Sequence, residues 1–170
     1  MPTTEFAVID HELTSRLGQI TINWACIEEW LGHLLATLID ADSGGFSIIT
    51  AQMGASAIID AIKTVIALHE PKDPSLKEVR EMVEQADELR IERNEFIHGI
   101  WDPTGCEPHT CLINTFGWKR AEIIRGRLVT APELDEFLID CQDWLESYVE
   151  LGKRFGFPRN RGETSSIFRD

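Results

Sequence analysis

The sequence predicts an all-α fold: a bundle of about four main helices with a short β-hairpin inserted before the last helix. Three observations support this prediction. Long segments carry apolar residues three and four positions apart, Gly- and Pro-containing breaks separate them, and residues 106–129 lack the helical pattern. The chain of 170 residues is most simply one domain over residues 1–155. Residues 156–170, rich in Gly, Pro, Arg and Ser, are expected to be a loosely ordered tail.

The first helix is predicted from a sustained apolar seam. Its members recur in steps of four and three: Leu13, Leu17, Ile20, Trp24, Ile27, Leu31, Leu34 and Leu38. This is the 3.5-residue period of helices that pack along their whole length. The segment Asp40–Gly45 ends the helix. A shorter second helix is expected over about Ala55–Glu70, before the Pro-containing break at residues 71–75.

The third helix is predicted over about Leu76–Ile100, with Ser75 as its N-cap and Glu78 completing a capping box. Its apolar seam has one exception. Arg93 stands at a position where a leucine would be expected. Asp102 and the Pro that follows it form a stop signal.

The remaining chain is predicted to form a hairpin and then the last helix. Two β-rich runs, Cys111–Phe116 and Ala121–Val129, flank a turn at residues 117–120. Thr130 with Glu133 three positions later is a helix-start pattern, and the helix is expected to extend to about Phe155.

Composition restricts the function classes. The net charge of −13 argues against a nonspecific nucleic-acid binder, because phosphate contacts require a basic surface. Residues 117–129 are nevertheless locally basic, with four cations (Lys119, Arg120, Arg125, Arg127) against Glu122, a net of 4 − 1 = +3. The sequence shows neither a signal peptide nor a membrane-spanning apolar run, and its four cysteines are dispersed. We therefore expect a cytoplasmic protein with reduced thiols and no membrane association.

Arg93, Asn94 and His98 form the most informative pattern in the chain. Asn94 and His98 are four residues apart and share one helix face, and the long Arg93 side chain can reach the imidazole. Histidine titrates near neutral pH, and arginine presents a permanent fork of donors that matches a phosphate. Together they suit phosphoryl chemistry without a metal. From spacing alone, a buried ion pair for Arg93 and a helix-capping role for His98 remain open.

The segment from Arg93 to His98 resembles the signature of the HEPN superfamily, which is Arg, a polar residue, three further residues and His. Members are helical bundles with the motif late in a long helix, so the resemblance extends over about residues 10–155. Many members are metal-independent endoribonucleases, often toxins or defence effectors. They pair as two-fold dimers in which the Arg and His of both subunits line one cleft.

The resemblance implies specific roles for these residues. His98 would handle the proton of the attacking ribose 2′-hydroxyl or of the leaving oxygen, Arg93 would stabilise the phosphorane-like transition state, and Asn94 would orient the substrate or the histidine. The products would carry 2′,3′-cyclic phosphate ends, with no metal or cofactor required. A homodimer and an antitoxin protein are the expected partners. The alternative is a non-catalytic HEPN scaffold or a nucleotide- or phosphate-binding module.

One departure from the family concerns a tyrosine. In the toxins that a partner nucleotidyltransferase modifies, a tyrosine stands two residues after the histidine, whereas Ile100 occupies that position here. Inactivation by nucleotide attachment at that position is therefore not expected.

Two further groups are candidates for binding. Trp118, Lys119 and Arg120 lie at the predicted hairpin tip, where an aromatic ring and two cations could contact RNA as a weaker substrate-binding patch. Cys106, His109 and Cys111 lie within six residues, but they lack the usual Cys-x-x-Cys spacing of a zinc site and would need a fourth ligand such as Asp102. We expect no metal there and favour a polar loop.

Overall fold

The computed structural model describes residues 9–69, 73, 76–117 and 122–155. Within these residues the chain forms five α-helices and three β-strands. In chain order they are α1 (His11–Leu38), α2 (Ser43–Gln52), α3 (Ala55–His69), α4 (Leu76–His98), β1 (Ile100–Asp102), β2 (Thr110–Gly117), β3 (Glu122–Thr130) and α5 (Ala131–Phe155). Among the described helices, none combines the length and the apolar character that crossing a membrane requires. The prediction of a mainly helical fold with a hairpin before the last helix is confirmed.

The short helix α2 was not predicted, because two adjacent glycines suggested a break. The prediction that Gly44 and Gly45 belong to a helix-ending segment is wrong in part: α1 does end at Leu38, but both glycines lie in the first turn of α2. The reason is the cap. Asp42 is extended, and its Oδ1 atom accepts a hydrogen bond from the Gly45 backbone N–H at 2.8 Å. A capping carboxylate therefore begins a helix where glycine content alone indicates a turn.

The third predicted helix, α4, ends two residues earlier than expected. Ile100 belongs to β1, a three-residue strand that adds a third member to the predicted hairpin. The predicted N-cap Ser75, residues 118–120 of the predicted turn and the tail 156–170 lie outside the described residues.

The chain divides into two compact units. One comprises Trp24–Arg90 and Cys141–Asp170, and all of its described secondary-structure elements are helices. In this unit the Trp144 indole donates a hydrogen bond to the Met82 carbonyl at 2.8 Å, so α5 is fixed against α4. The Trp30 and Tyr148 rings pack 5.0 Å apart and join α1 to α5.

The other unit comprises Met1–Asn23 and Ile91–Asp140, and it contains the sheet. The strands are antiparallel in the order β1-β2-β3. Trp101, Ile113 and Arg127 are directly opposite one another across the three strands, so their side chains share one face. Ile113 is buried, which makes this the inner face of the sheet.

Two contacts fix the end of α4 against the sheet. The Trp101 indole donates to the Phe96 carbonyl at 2.8 Å and so satisfies one of the last carbonyls of the helix. Gly99 then allows β2 to approach the end of α4 closely. A Cβ atom at this position would collide with the Ile113 side chain and would lie 2.6 Å from the Glu95 carbonyl oxygen.

Gly99→Ala is therefore expected to lower the free energy of unfolding by about 1–3 kcal/mol, because the backbone must shift to admit the methyl group. Gly18→Ala is the matched control. Gly18 is exposed within α1, nothing lies within 4 Å of its added Cβ, and the substitution should stabilise the protein by roughly 0.5–1 kcal/mol. Urea unfolding followed by circular dichroism measures both. A Gly99→Ala protein with the same free energy of unfolding as wild type would contradict this packing.

Candidate functional site

The orientation of the last turns of α4 is set by Phe96. Its side chain is fully buried, and its ring packs edge to face against Phe137 with ring centroids 5.3 Å apart. Since successive helical residues are about 100° apart, residues two positions before and after Phe96 point roughly the opposite way. Asn94 and His98 therefore lie on the outward face of α4; their spacing predicted that they share a face.

The structure brings the three predicted motif residues together. The Arg93 Nη1 atom donates to Asn94 Oδ1 at 3.1 Å and lies 3.4 Å from His98 Nε2. Arg93 is partly buried, whereas His98 is exposed and so is not in a buried ion pair. Because a guanidinium only donates, this contact uses the Nε2 lone pair, and a neutral His98 then carries its proton on Nδ1. A permanent cation and a titratable base thus meet at the surface.

Ile91 extends the same outward face. It is three residues before Asn94 and seven before His98, and its side chain is 53% exposed. Ile91 was not predicted as part of this face, because it lies outside the buried apolar seam of α4. The 3-and-4 spacing of Ile91, Asn94 and His98 was the available signal for a second, mixed face.

Arg127 of β3 holds the acidic residue inside the motif. Its Nε atom lies 3.2 Å from Glu95 Oε2, its Nη1 atom pairs with Glu133 in the first turn of α5, and its guanidinium lies 5.1 Å from the Phe96 ring centroid. Arg127 therefore connects α4, β3 and α5.

The basic stretch 117–129 consequently differs from its sequence-based interpretation. Arg127 was counted there among four cations, but its charge is balanced by Glu95 and Glu133 on the inner face of the sheet. Trp118, Lys119 and Arg120, the predicted weaker binding patch, lie outside the described residues.

Glu92 precedes the motif in a partly buried, mainly acidic setting. Burial raises the pKa of this carboxyl group, and the neighbouring charges of Asp140 and Glu95 raise it further, whereas Arg127 lowers it. Ionisation of Glu92 therefore lowers the stability of the folded protein.

Cys106, His109 and Cys111 are not arranged as a metal centre. His109 Nδ1 lies 3.3 Å from Asp10 Oδ2 and 3.6 Å from Glu12 Oε2. Within the part of the chain that the structure describes, no group of three or more His, Cys, Asp or Glu side chains is placed to hold a metal ion. The three residues belong to the β1–β2 loop and the start of β2.

Comparisons of this chain with models of known protein families, with curated proteins and with solved structures found no match.

Glu92→Gln is expected to stabilise the protein at pH 7.5 and to have little effect at pH 4. The folded-state pKa of Glu92 lies above its ordinary value of 4.5, so wild type loses stability as the pH rises from about 4.5 through that raised pKa. Urea unfolding at the two pH values measures the difference.

Asp140→Asn is the second variant for this test. It removes one of the charges that raise the pKa of Glu92, so the gain from Glu92→Gln at pH 7.5 should shrink in that background. A Glu92→Gln protein that is less stable than wild type at pH 7.5 would contradict a raised pKa for Glu92.

Proposed function

We propose that this protein is a metal-independent endoribonuclease that uses the ribose 2′-hydroxyl of its RNA substrate as the nucleophile. The observation that carries the proposal is the contact of Arg93 Nη1 with both Asn94 Oδ1 (3.1 Å) and His98 Nε2 (3.4 Å), beside an exposed imidazole. A proton acceptor and a permanent cation are the two groups that this reaction requires. The resemblance of the segment to the HEPN signature agrees with the same chemistry.

The reaction would be a transesterification within the RNA. His98 accepts the proton of the 2′-hydroxyl as the 2′-oxygen forms a bond to phosphorus. Arg93 moves its donors to the phosphoryl oxygens and stabilises the added charge. The bond from phosphorus to the 5′-oxygen then breaks, and that oxygen takes up a proton. The products are a 2′,3′-cyclic phosphate and a 5′-hydroxyl end.

Asn94 has a positioning role in this scheme. Its side-chain oxygen accepts a hydrogen bond from the same Nη1 atom that contacts His98. This holds the guanidinium on the outward face of α4, next to His98, until a phosphate binds and takes over its donors.

A second copy of the chain would complete the site. The scheme needs one group to take a proton and another to deliver one, and each chain supplies a single motif histidine, His98. A two-fold dimer across the outward face of α4 would add His98 of the partner subunit. The exposed side chain of Ile91 supports the pairing, since it offers apolar surface on the same helix face, one turn before Asn94.

A toxin or defence role, with an antitoxin protein as partner, belongs to the same proposal and rests on the family resemblance alone. The alternative function, a HEPN scaffold or a module that binds a nucleotide or phosphate without cutting, uses the same Arg93 and Asn94. RNA cleavage by the wild-type protein distinguishes the nuclease from this alternative.

His98→Ala and Arg93→Ala are each expected to reduce RNA cleavage in EDTA by roughly 100-fold or more, because the first removes the proton acceptor and the second removes the charge that stabilises the transition state. Product ends are mapped by mass spectrometry. His11→Ala on α1 and Arg80→Ala on α4, changes of the same residue types outside the motif, are the matched controls and should cleave like wild type.

Two results would contradict the nuclease proposal. One is the absence of cleavage by the wild-type protein across structured and unstructured RNAs, and the other is unchanged cleavage by His98→Ala. In the first case, binding of inorganic phosphate or a mononucleotide that is lost in Arg93→Ala would establish the alternative.

Ile91→Glu is expected to weaken self-association roughly tenfold or more, because it introduces a charge at the proposed interface. Sedimentation velocity measures association, and cleavage should fall in parallel. Ile139→Glu is the matched control, since Ile139 is similarly exposed (58%, against 53% for Ile91) but lies on α5. A wild-type protein that is monomeric at micromolar concentration would rule out the dimer.

A further inference from the structure

We infer that Cys106 and Cys111 form a reversible dithiol–disulfide pair, with Cys106 as the thiol that reacts first and Cys111 as the thiol that resolves the intermediate. The inference does not depend on the nuclease proposal. It concerns Cys106 in the β1–β2 loop and Cys111 at the start of β2, neither of which belongs to the motif site.

Two consecutive turns bring the cysteines to the same place. The Cys106 backbone N–H donates to the Pro103 carbonyl at 3.2 Å, with Gly105 at a φ of 73°. The Thr110 backbone N–H then donates to the Glu107 carbonyl at 3.1 Å, with His109 at a φ of 60°. A positive φ at the third residue of each turn is the type II geometry. The chain thus folds back on itself between the two cysteines.

Both cysteines lie at the same end of the β1–β2 ladder, beside the paired residues Asp102 and Leu112. The Cys106 Sγ atom donates to the Asp102 carbonyl oxygen at 3.6 Å. Cys111 adjoins Leu112, the residue directly opposite Asp102 in the β1–β2 ladder, and its Sγ atom donates to the Leu112 carbonyl oxygen at 3.7 Å. A disulfide between these two thiols would join the β1–β2 loop to the first residues of β2.

The different exposure of the two thiols assigns their roles. Cys106 is partly exposed, whereas Cys111 is fully buried on the inner face of the sheet. Burial raises the pKa of Cys111, and Cys106 and Asp102 raise it further, so Cys111 is protonated when a reagent arrives. Cys106 is therefore the accessible nucleophile.

The co-reactant is a small-molecule disulfide of the glutathione type. The Cys106 thiolate attacks one sulfur of this disulfide, forms a mixed disulfide and releases the first small thiol. Cys111 then loses its proton and attacks the Cys106 sulfur, which releases the second small thiol. Overall, two protein thiols and one small disulfide become one protein disulfide and two small thiols.

The test uses the folded, full-length protein with Cys26→Ser, because exposed Cys26 on α1 could itself take up a small thiol. This background has three of the four cysteines. After incubation with oxidised glutathione, removal of the reagent and denaturation, free thiols should fall from three to one. No glutathionyl mass should remain, and dithiothreitol should restore all three thiols. Trypsin cleaves after Arg93 and Lys119, so Cys106 and Cys111 lie in one peptide, which should be lighter by two hydrogen atoms than its reduced form.

Two further variants in this background test the roles. Cys106→Ser, at a partly exposed position, should keep both remaining thiols and acquire no glutathionyl group. Cys111→Ala should hold one glutathionyl group on Cys106, and its folding is checked by circular dichroism because the position is buried. The inference is overturned if the background protein keeps three thiols, if it stops at a glutathionyl adduct on Cys106, or if the link maps to Cys141.

Discussion

The ion-pair cluster around Arg127 is the constraint on which the motif region depends. This one guanidinium contacts Glu95 of α4 and Glu133 of α5 and lies over the Phe96 ring. It compensates acidic side chains that would otherwise repel one another in a partly buried setting. With Phe96 buried beneath it, the last turns of α4 have a fixed rotation. That rotation places Asn94 and His98 on the outward face and Arg93 at its margin.

The end of α4 shows how packing prepares the site for chemistry. Gly99 lets β2 approach the helix end closely, and the Trp101 indole caps the Phe96 carbonyl. The motif therefore lies on a helix whose end is tied to a sheet, which limits the movement of His98 relative to Arg93. Groups held in this way need little reorganisation during a reaction. The proposed nuclease chemistry uses this rigidity, together with a second copy of the chain.

Much of this arrangement could be predicted from local patterns. The apolar periods predicted α1, α3, α4 and α5, and the Thr130 cap is present, with its hydroxyl accepting from the Glu133 backbone at 3.3 Å. The grouping of Arg93, Asn94 and His98 followed from helical spacing. The features missed depend on one capping side chain or on distant partners. Helix α2 needs Asp42, β1 needs pairing with β2, and the role of Arg127 needs two acids from other elements.

The most direct test of the central claim is cleavage, in EDTA, of an RNA that carries a single 2′-deoxynucleotide at a mapped cleavage position. If the 2′-hydroxyl is the nucleophile, cleavage at that one linkage disappears while the neighbouring linkages are cut as before. Continued cleavage at the modified linkage would contradict the account, because the reaction would then proceed without the group from which His98 is proposed to take a proton.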